Sequence, residues 1–379
     1  MPTVLETLAS LVAINSINPE WGGPGESGVA DFVESFFADS DVTVTRDEVL
    51  PGRENVMVHL SGKDSSRSIV LESHMDTVSV DGMTIDPFAP EIKEGLLYGR
   101  GSCDTKAGLA GMMHAIKSLA ESGERPPCDV YLAAVVDEEH AFRGVLAAIE
   151  WFRRQGVKPD CAVVSEPTEL RLVRANKGVL RWRIETRGVS AHSSKPHLGK
   201  SAIVAMAEVI QRLEAFHESF TGKEHPLLGP STCCIGLIEG GDQINFVPER
   251  CVISLDRRML PGEKGEELLR EYRELLPDLK TCEVTVHPAD LMDEAMETPG
   301  SEPVVVTASA LLEEMGLKPE PCGVPFGCDV TKFSRAGIPG IIFGPGSIDQ
   351  AHGAVEYVDV NEVELAFDFY RRFLLNYPV

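Results

Sequence analysis

The chain is short of positive charge. Lys and Arg together number 35 against 59 Asp and Glu, a net charge of -24. Nucleic acids and anionic membranes are held by basic patches, so neither is expected as a partner. A small substrate is not excluded, because one pocket can be basic on an acidic protein. Long apolar runs are missing too, and none would span a bilayer. The opening "MPTVLETLASLVAINSINPE" has no basic segment, and Glu6 interrupts its apolar pattern, which argues against a secretory signal. Patterned cysteine is also absent. Nine cysteines are scattered without a CxxC pair, an odd set that points to reduced thiols and a cytoplasmic setting.

What is present is enough for two domains: 379 residues, 43% of them apolar. Val4, Leu8, Leu11 and Val12 fit one face of an N-terminal helix. "ENVMVHL", "SIVLESHMD", "DVYLAAVVDEE", "CAVVSEP" and "GIIFGPG" are near-continuous apolar runs, as expected of strands covered on both faces. Helical stretches fall between them, with Gly123 and Gly156 placed to end two of these. This alternation predicts an α/β sandwich around a mostly parallel sheet. The middle of the chain differs. "GVLRWRIETRG" alternates as a half-buried strand does, and the following order β-α-β-β-α-β is ferredoxin-like. The expected organisation is therefore a larger domain of residues 1–174 and 294–379, interrupted by an α+β insert over 175–293.

Sites in α/β sheets gather at the C-terminal ends of strands. Five predicted strands or turns deliver ligand-type residues there: His74 and Asp76, Asp104, Asp137 with Glu138 and Glu139, Glu166, and His352. Each alone is ordinarily a helix cap, a solvated charge or a bland loop histidine. Together they are harder to dismiss, because converging carboxylates repel and are costly to desolvate unless protonated or bound to a cation. Imidazole plus carboxylate is a zinc-type set, and the lack of cysteine ligands argues against a closed structural site. Residues i and i+2 of a strand share a face, so Asp76 can approach and orient His74. Of Glu138 and Glu139, one can bind metal while the other remains free as a base.

"SHMDTV", "GRGSCDTKAG", "VVDEE", "SEPT" and "AHGAVEYV" together, in this order, resemble the co-catalytic zinc amidohydrolases. That family includes acetylornithine deacetylases, succinyl-diaminopimelate desuccinylases, aminoacylases and glutamate-type carboxypeptidases. The resemblance implies two divalent ions, Zn2+ with Co2+ or Mn2+ as alternatives. Asp104 would bridge them, His74 and Glu166 would complete one site, and Glu139 and His352 the other. Asp76 would orient His74, Glu138 would be the general base, and the Asp104–Thr105 peptide would be cis. Glu356 would either support His352 or sit in solvent. His114 and His140 match no ligand position and read as structural.

The resemblance extends to the insert, which it implies is a lid and a homodimer surface. His192 of "GVSAHSSKPHLG" would steady the oxyanion, acting across the dimer. Asn245 of "DQINFVPER" and the loop at Gly327 would contact substrate. Strand alternation sends Arg257 and Arg258 to opposite faces, and the Asp-x-Arg-x-x-Pro spacing selects Arg258 for a substrate carboxylate. The implied reaction is hydrolysis of a small N-acyl amino acid or short peptide. "FGPGSIDQAH" looks most like the acetylornithine deacetylase branch. Desuccinylase and carboxypeptidase or dipeptidase readings come next, and a metal-binding relative that has lost catalysis is the competing class.

Overall fold

Strands that are apolar on both faces build the centre of the larger unit. The computed structural model describes residues 2–220, 222, 224–276, 279 and 282–378. Cys128–Val135 is buried at every position. It runs parallel to Asp64–His74, which runs parallel to Cys161–Val164, which runs parallel to Gly340–Ile342. Arg53–Leu60 and then Thr43–Leu50 continue the sheet beyond Cys128–Val135, both antiparallel. All four parallel strands therefore end on the same side.

Alternation divides each strand between two helical layers. Ile69 and Leu71 pack with Val4–Val12, Lys106–Ser122 and Val360–Asn376 in one core. On the other face Tyr131 meets Trp151 and Phe152 of helix Arg143–Gln155. His74 lies on the opposite face from Leu71, at the strand's last position. Each fully buried Leu or Ile contributes roughly 1.5–3 kcal/mol, so the two-sided strands hold the layers firmly. The helix ends follow local chemistry. Thr3 and Glu6 form a reciprocal capping box for Val4–Val12. Gly123 and Gly156 end their helices at φ 73° and 68°, where a side chain would be strained.

The chain separates into two units, Met1–Arg174 with Thr298–Cys322 and Cys328–Val379, and Ala175–Glu297 with Gly323–Gly327. The second unit holds an antiparallel sheet in the order Thr232–Gly240, Arg250–Met259, Gly178–Arg187, Glu283–Asp293. Trp182, Ile184, Leu255 and Ile253 pack beneath Ala202–Glu218 and Gly265–Leu275. The other face is polar: Arg181 pairs with Asp256 and Arg183 with Asp290. This is the α/β sandwich and ferredoxin-like insert that the hydrophobic pattern predicted. Among the described residues no helix is long and apolar enough to cross a membrane.

One buried histidine ties the N-terminal helix to this frame. His114 is 3% exposed, and its Nε2 lies 2.8 Å from Thr7 Oγ1. Burial, helped by the charge of Lys117, lowers its pKa to about 4 from 6.5. Between those values the unfolded chain binds more protons than the native one, so His114 takes stability away as pH falls from 6.5 to 4. H114Q keeps a hydrogen-bonding group without titrating. It is expected to flatten the dependence of Tm on pH across that window. An unchanged slope would remove His114 as a source of it.

Candidate metal centre

The four parallel strand ends and the turn before Lys106–Ser122 bring six side chains together. His74 closes its strand, and Glu166 follows Cys161–Val164. Asp104 precedes Lys106–Ser122, where the Asp104–Thr105 peptide is cis. Glu138 and Glu139 open a short helix after Cys128–Val135. His352, at φ 59°, stands in the loop after Gly340–Ile342.

Asp104 lies between two groups. Its Oδ1 is 3.0 Å from His74 Nε2, and its Oδ2 is 3.3 Å from His352 Nε2. His352 Nε2 is also 3.2 Å from Glu139 Oε1. Ligand atoms of His74, Asp104 and Glu166 lie within 4.8 Å of one another, as do those of Asp104, Glu139 and His352. His192, Asn245, Arg258 and Gly327 belong to the second unit.

The electrostatics fit a cation-binding set. Burial pushes the Glu166 and Glu138 carboxyls well above their usual range, and it pushes Glu139 to about 7, with the Asp104 charge adding. Burial also opposes ionisation of Asp104, yet hydrogen bonds from His352 and His74 hold its carboxyl well below that range. Hydrogen bonds to Asp104 and Glu139 raise His352 to about 10. His74 is raised as well: burial works against its charge, but Asp104 outweighs burial. The cluster thus lacks positive charge, and its histidines are drawn to protonate. A divalent ion supplies that charge while leaving imidazole neutral, as a ligand must be.

Supporting contacts differ from expectation in two places. His74 Nδ1 is 3.0 Å from the carbonyl oxygen of Asp76 and 3.6 Å from its carboxylate. The carbonyl is thus the nearer orienting partner. The Asp76 carboxylate is taken up elsewhere, by the amides of Glu138 at 3.1 Å and Glu139 at 3.2 Å and by Asn18 Nδ2 at 2.8 Å. Glu356 neither supports His352 nor sits in solvent. It is fully buried, pairs with Arg100 at 2.6 Å, and accepts the amides of Cys103 and Asp104 at 2.9 and 3.1 Å. "GRGSCD" placed Arg100 in view, but local pattern cannot reveal a partner 256 residues away.

The loop carrying His352 is stitched over the Glu166 strand end. Gly344 accepts from the amides of Thr168 and Leu170, and Gly346 from that of Glu169. A Cβ at Gly344 would stand 2.6 Å from the Glu166 carbonyl oxygen, and one at Gly346 would stand 2.6 Å from Cys103 Sγ. Cys103 is itself buried, with Sγ 3.2 Å from the Ser347 carbonyl oxygen. His114 lies in the helical core and His140 near Glu20, and neither joins a ligand group.

Within the second unit, His192 pairs across a two-residue ladder with Phe246, and its Nδ1 lies 2.8 Å from Ser194 Oγ. The Asn245 carbonyl accepts the Ser193 amide at 2.9 Å. Arg258 is partly exposed and paired with Asp256 at 2.9 Å. Arg257 is buried on the helical side, between Phe220, Tyr272 and Glu263. Gly327 lies against Asp293.

The pattern of peptidase family M20/M25/M40 matches residues 70–376. The chain is 30% identical over 381 residues to an acetylornithine deacetylase of Myxococcus xanthus, covering 96% of this chain and 94% of that one. It is 29% identical over 384 residues to a succinyl-diaminopimelate desuccinylase of Cereibacter sphaeroides, covering 97% of each. Its fold matches aminopeptidase PepT of Bacillus cereus with a TM-score of 0.80 and 24% identity, over 98% of this chain and 97% of that one. It also matches an M20 family metallo-carboxypeptidase of Sulfolobus solfataricus with a TM-score of 0.77 and 20% identity, over 100% of both.

The side chain of His352 is half exposed, so its removal costs little packing. H352A is expected to bind one Zn2+ fewer per chain than the unaltered protein in calorimetric titration, with Tm within about 2 °C. Equal stoichiometry would show that His352 holds no ion.

Proposed function

The chain belongs to peptidase family M20/M25/M40, a family of metal-dependent amide hydrolases, and from that premise we propose that it removes the acyl group of a small N-acyl amino acid, as an acetylornithine deacetylase does. The observation that carries this reading is the pair of ligand groups sharing Asp104, with the buried carboxyl of Glu138 beside them. Similarity to the acetylornithine deacetylase of Myxococcus xanthus supports the choice of acyl amino acid.

His74, Asp104 and Glu166 would hold one ion, Zn2+ on the donor set, and Asp104, Glu139 and His352 the other. Such a pair, when bound, acidifies water and polarises an amide carbonyl. The remaining steps fall to side chains. Glu138 takes the proton of the attacking water and passes it to the leaving amine. Asp76 keeps the backbone of Glu138 and Glu139 in place. For the insert the support is family resemblance. His192 donates to the oxyanion, Arg258 forks the substrate carboxylate, and Asn245 and the Gly327 loop contact substrate.

We also infer a homodimer formed through the insert. Thr232–Gly240 is an edge strand of its sheet, with Leu237 65% and Ile238 58% exposed, beside exposed Ile203 and Val204. An unpaired edge with apolar residues is a template for a second copy. The nine free cysteines support a cytoplasmic setting.

E138Q is expected to keep its metal content while kcat falls by about 10²–10⁴ on the best substrate from a panel of N-acetyl and N-succinyl amino acids and dipeptides. Near-normal turnover would sink the base assignment. A preference for succinyl substrates or dipeptides would move the chain to another branch of the family. V204E with L237E is expected to convert a sedimenting dimer into a monomer of 41.2 kDa. A monomeric unaltered protein would overturn the dimer.

A further inference from the structure

The turn carrying Glu138 and Glu139 is held by a buried ionic chain that the steps above do not use. Asp137 begins the turn. It is fully buried and sits at φ 65°, in the left-handed region that favours glycine. Asp is among the few other residues that adopt this conformation, at a cost that its surroundings must offset.

Here the surroundings are specific. The Asp137 amide donates to Glu26 Oε1 at 3.1 Å. Its carboxylate receives Asn18 Nδ2 at 3.1 Å and lies 3.0 Å from Arg53 and 3.2 Å from Arg143. Arg53 forks the Glu26 carboxylate through Nε at 2.8 Å and Nη2 at 2.5 Å, and the same Nη2 reaches Asp137. Glu26 is fully buried as well. Arg53 is thus the cation common to two buried carboxylates. Asn18 then links Asp137 to Asp76, whose carboxylate holds the amides of both glutamates.

A cluster of this kind is a weak source of stability, because buried ion pairs rarely outperform apolar packing. What it does specify is geometry. We propose that Arg53 is a positioning residue: by neutralising Glu26 and Asp137 together, it keeps Asp137 in the left-handed conformation that aims Glu138 as base and Glu139 as metal ligand. The inference rests on the roles given to those two glutamates above. It assigns no chemical step to Arg53, which acts only through Asp137.

The test is R53Q, with R53K beside it, in the full chain. Zn2+ titration of R53Q is expected to show one of the two sites weakened by about 10–100-fold and the other unchanged. Its kcat should fall by a similar factor, with KM within about threefold, because the substrate contacts lie elsewhere. R53K retains the charge without the fork and should recover part of both losses. If R53Q fails to fold, E26Q/R53Q removes the orphaned charge on Glu26 and carries the same measurements. A lowered Tm with unchanged Zn2+ affinities and unchanged kcat per folded molecule would overturn the inference and leave a purely structural role. Unaltered protein that binds two Zn2+ yet hydrolyses none of the panel would defeat the proposed reaction, while the Zn2+ titrations would still decide the role of Arg53.

Discussion

Everything at the sheet end depends on how Asp104 is shared. One of its oxygens faces His74 and the other His352. Its neighbours Glu138, Glu139 and Glu166 are carboxyls that burial makes reluctant to ionise. A protein does not gather such groups for stability, since desolvating several like charges works against folding. The arrangement makes sense as a place for positive charge supplied from outside the chain. The parallel sheet provides the platform, because its strands all deliver their last residues to one side.

A second tier of carboxylates then does a different task. Glu356 and Asp76 belong to neither ligand group, and each accepts two backbone amides. Glu356 grips the turn that presents Asp104, and Asp76 grips the turn that presents Glu138 and Glu139. Charged acceptors on backbone donors form short, strong hydrogen bonds, so they fix the turns they hold. Arg100 balances Glu356, and Arg53 lies between Glu26 and Asp137. Ligand-type carboxylates therefore face the centre, while supporting carboxylates hold backbone, Glu356 against Arg100 and Asp76 beside Asn18.

Much of this is legible in the sequence. Apolar runs of strand length marked the parallel sheet, because two-sided burial leaves little room for polar residues. Alternation in "GVLRWRIETRG" marked a strand with one polar face, which the Arg181 and Arg183 pairs now line. Gly123 and Gly156 marked helix ends because few other residues adopt the left-handed conformation there. The strand-end residues stood out because a ligand-type side chain directly follows an apolar run. Alternation shows that two residues share a face, not which atoms meet: the Asp76 carboxylate lies 3.6 Å from His74 Nδ1, while its hydrogen bonds go to Asn18 and two amides.

The sequence by itself determined the chemical types at the centre, their order, and the strand ends that carry them. These are local properties, readable from hydrophobic period and residue chemistry. Only the tertiary structure decided the pairings. Glu356 meets an amide 253 residues away, and Glu26 reaches Asp137 across 111 residues. Such contacts arise when separate layers close on one sheet end, and no period along the chain encodes them. They also decided which carboxylates face the centre and which are spent on backbone, because that depends on the donors that folding brings within about 3 Å of each.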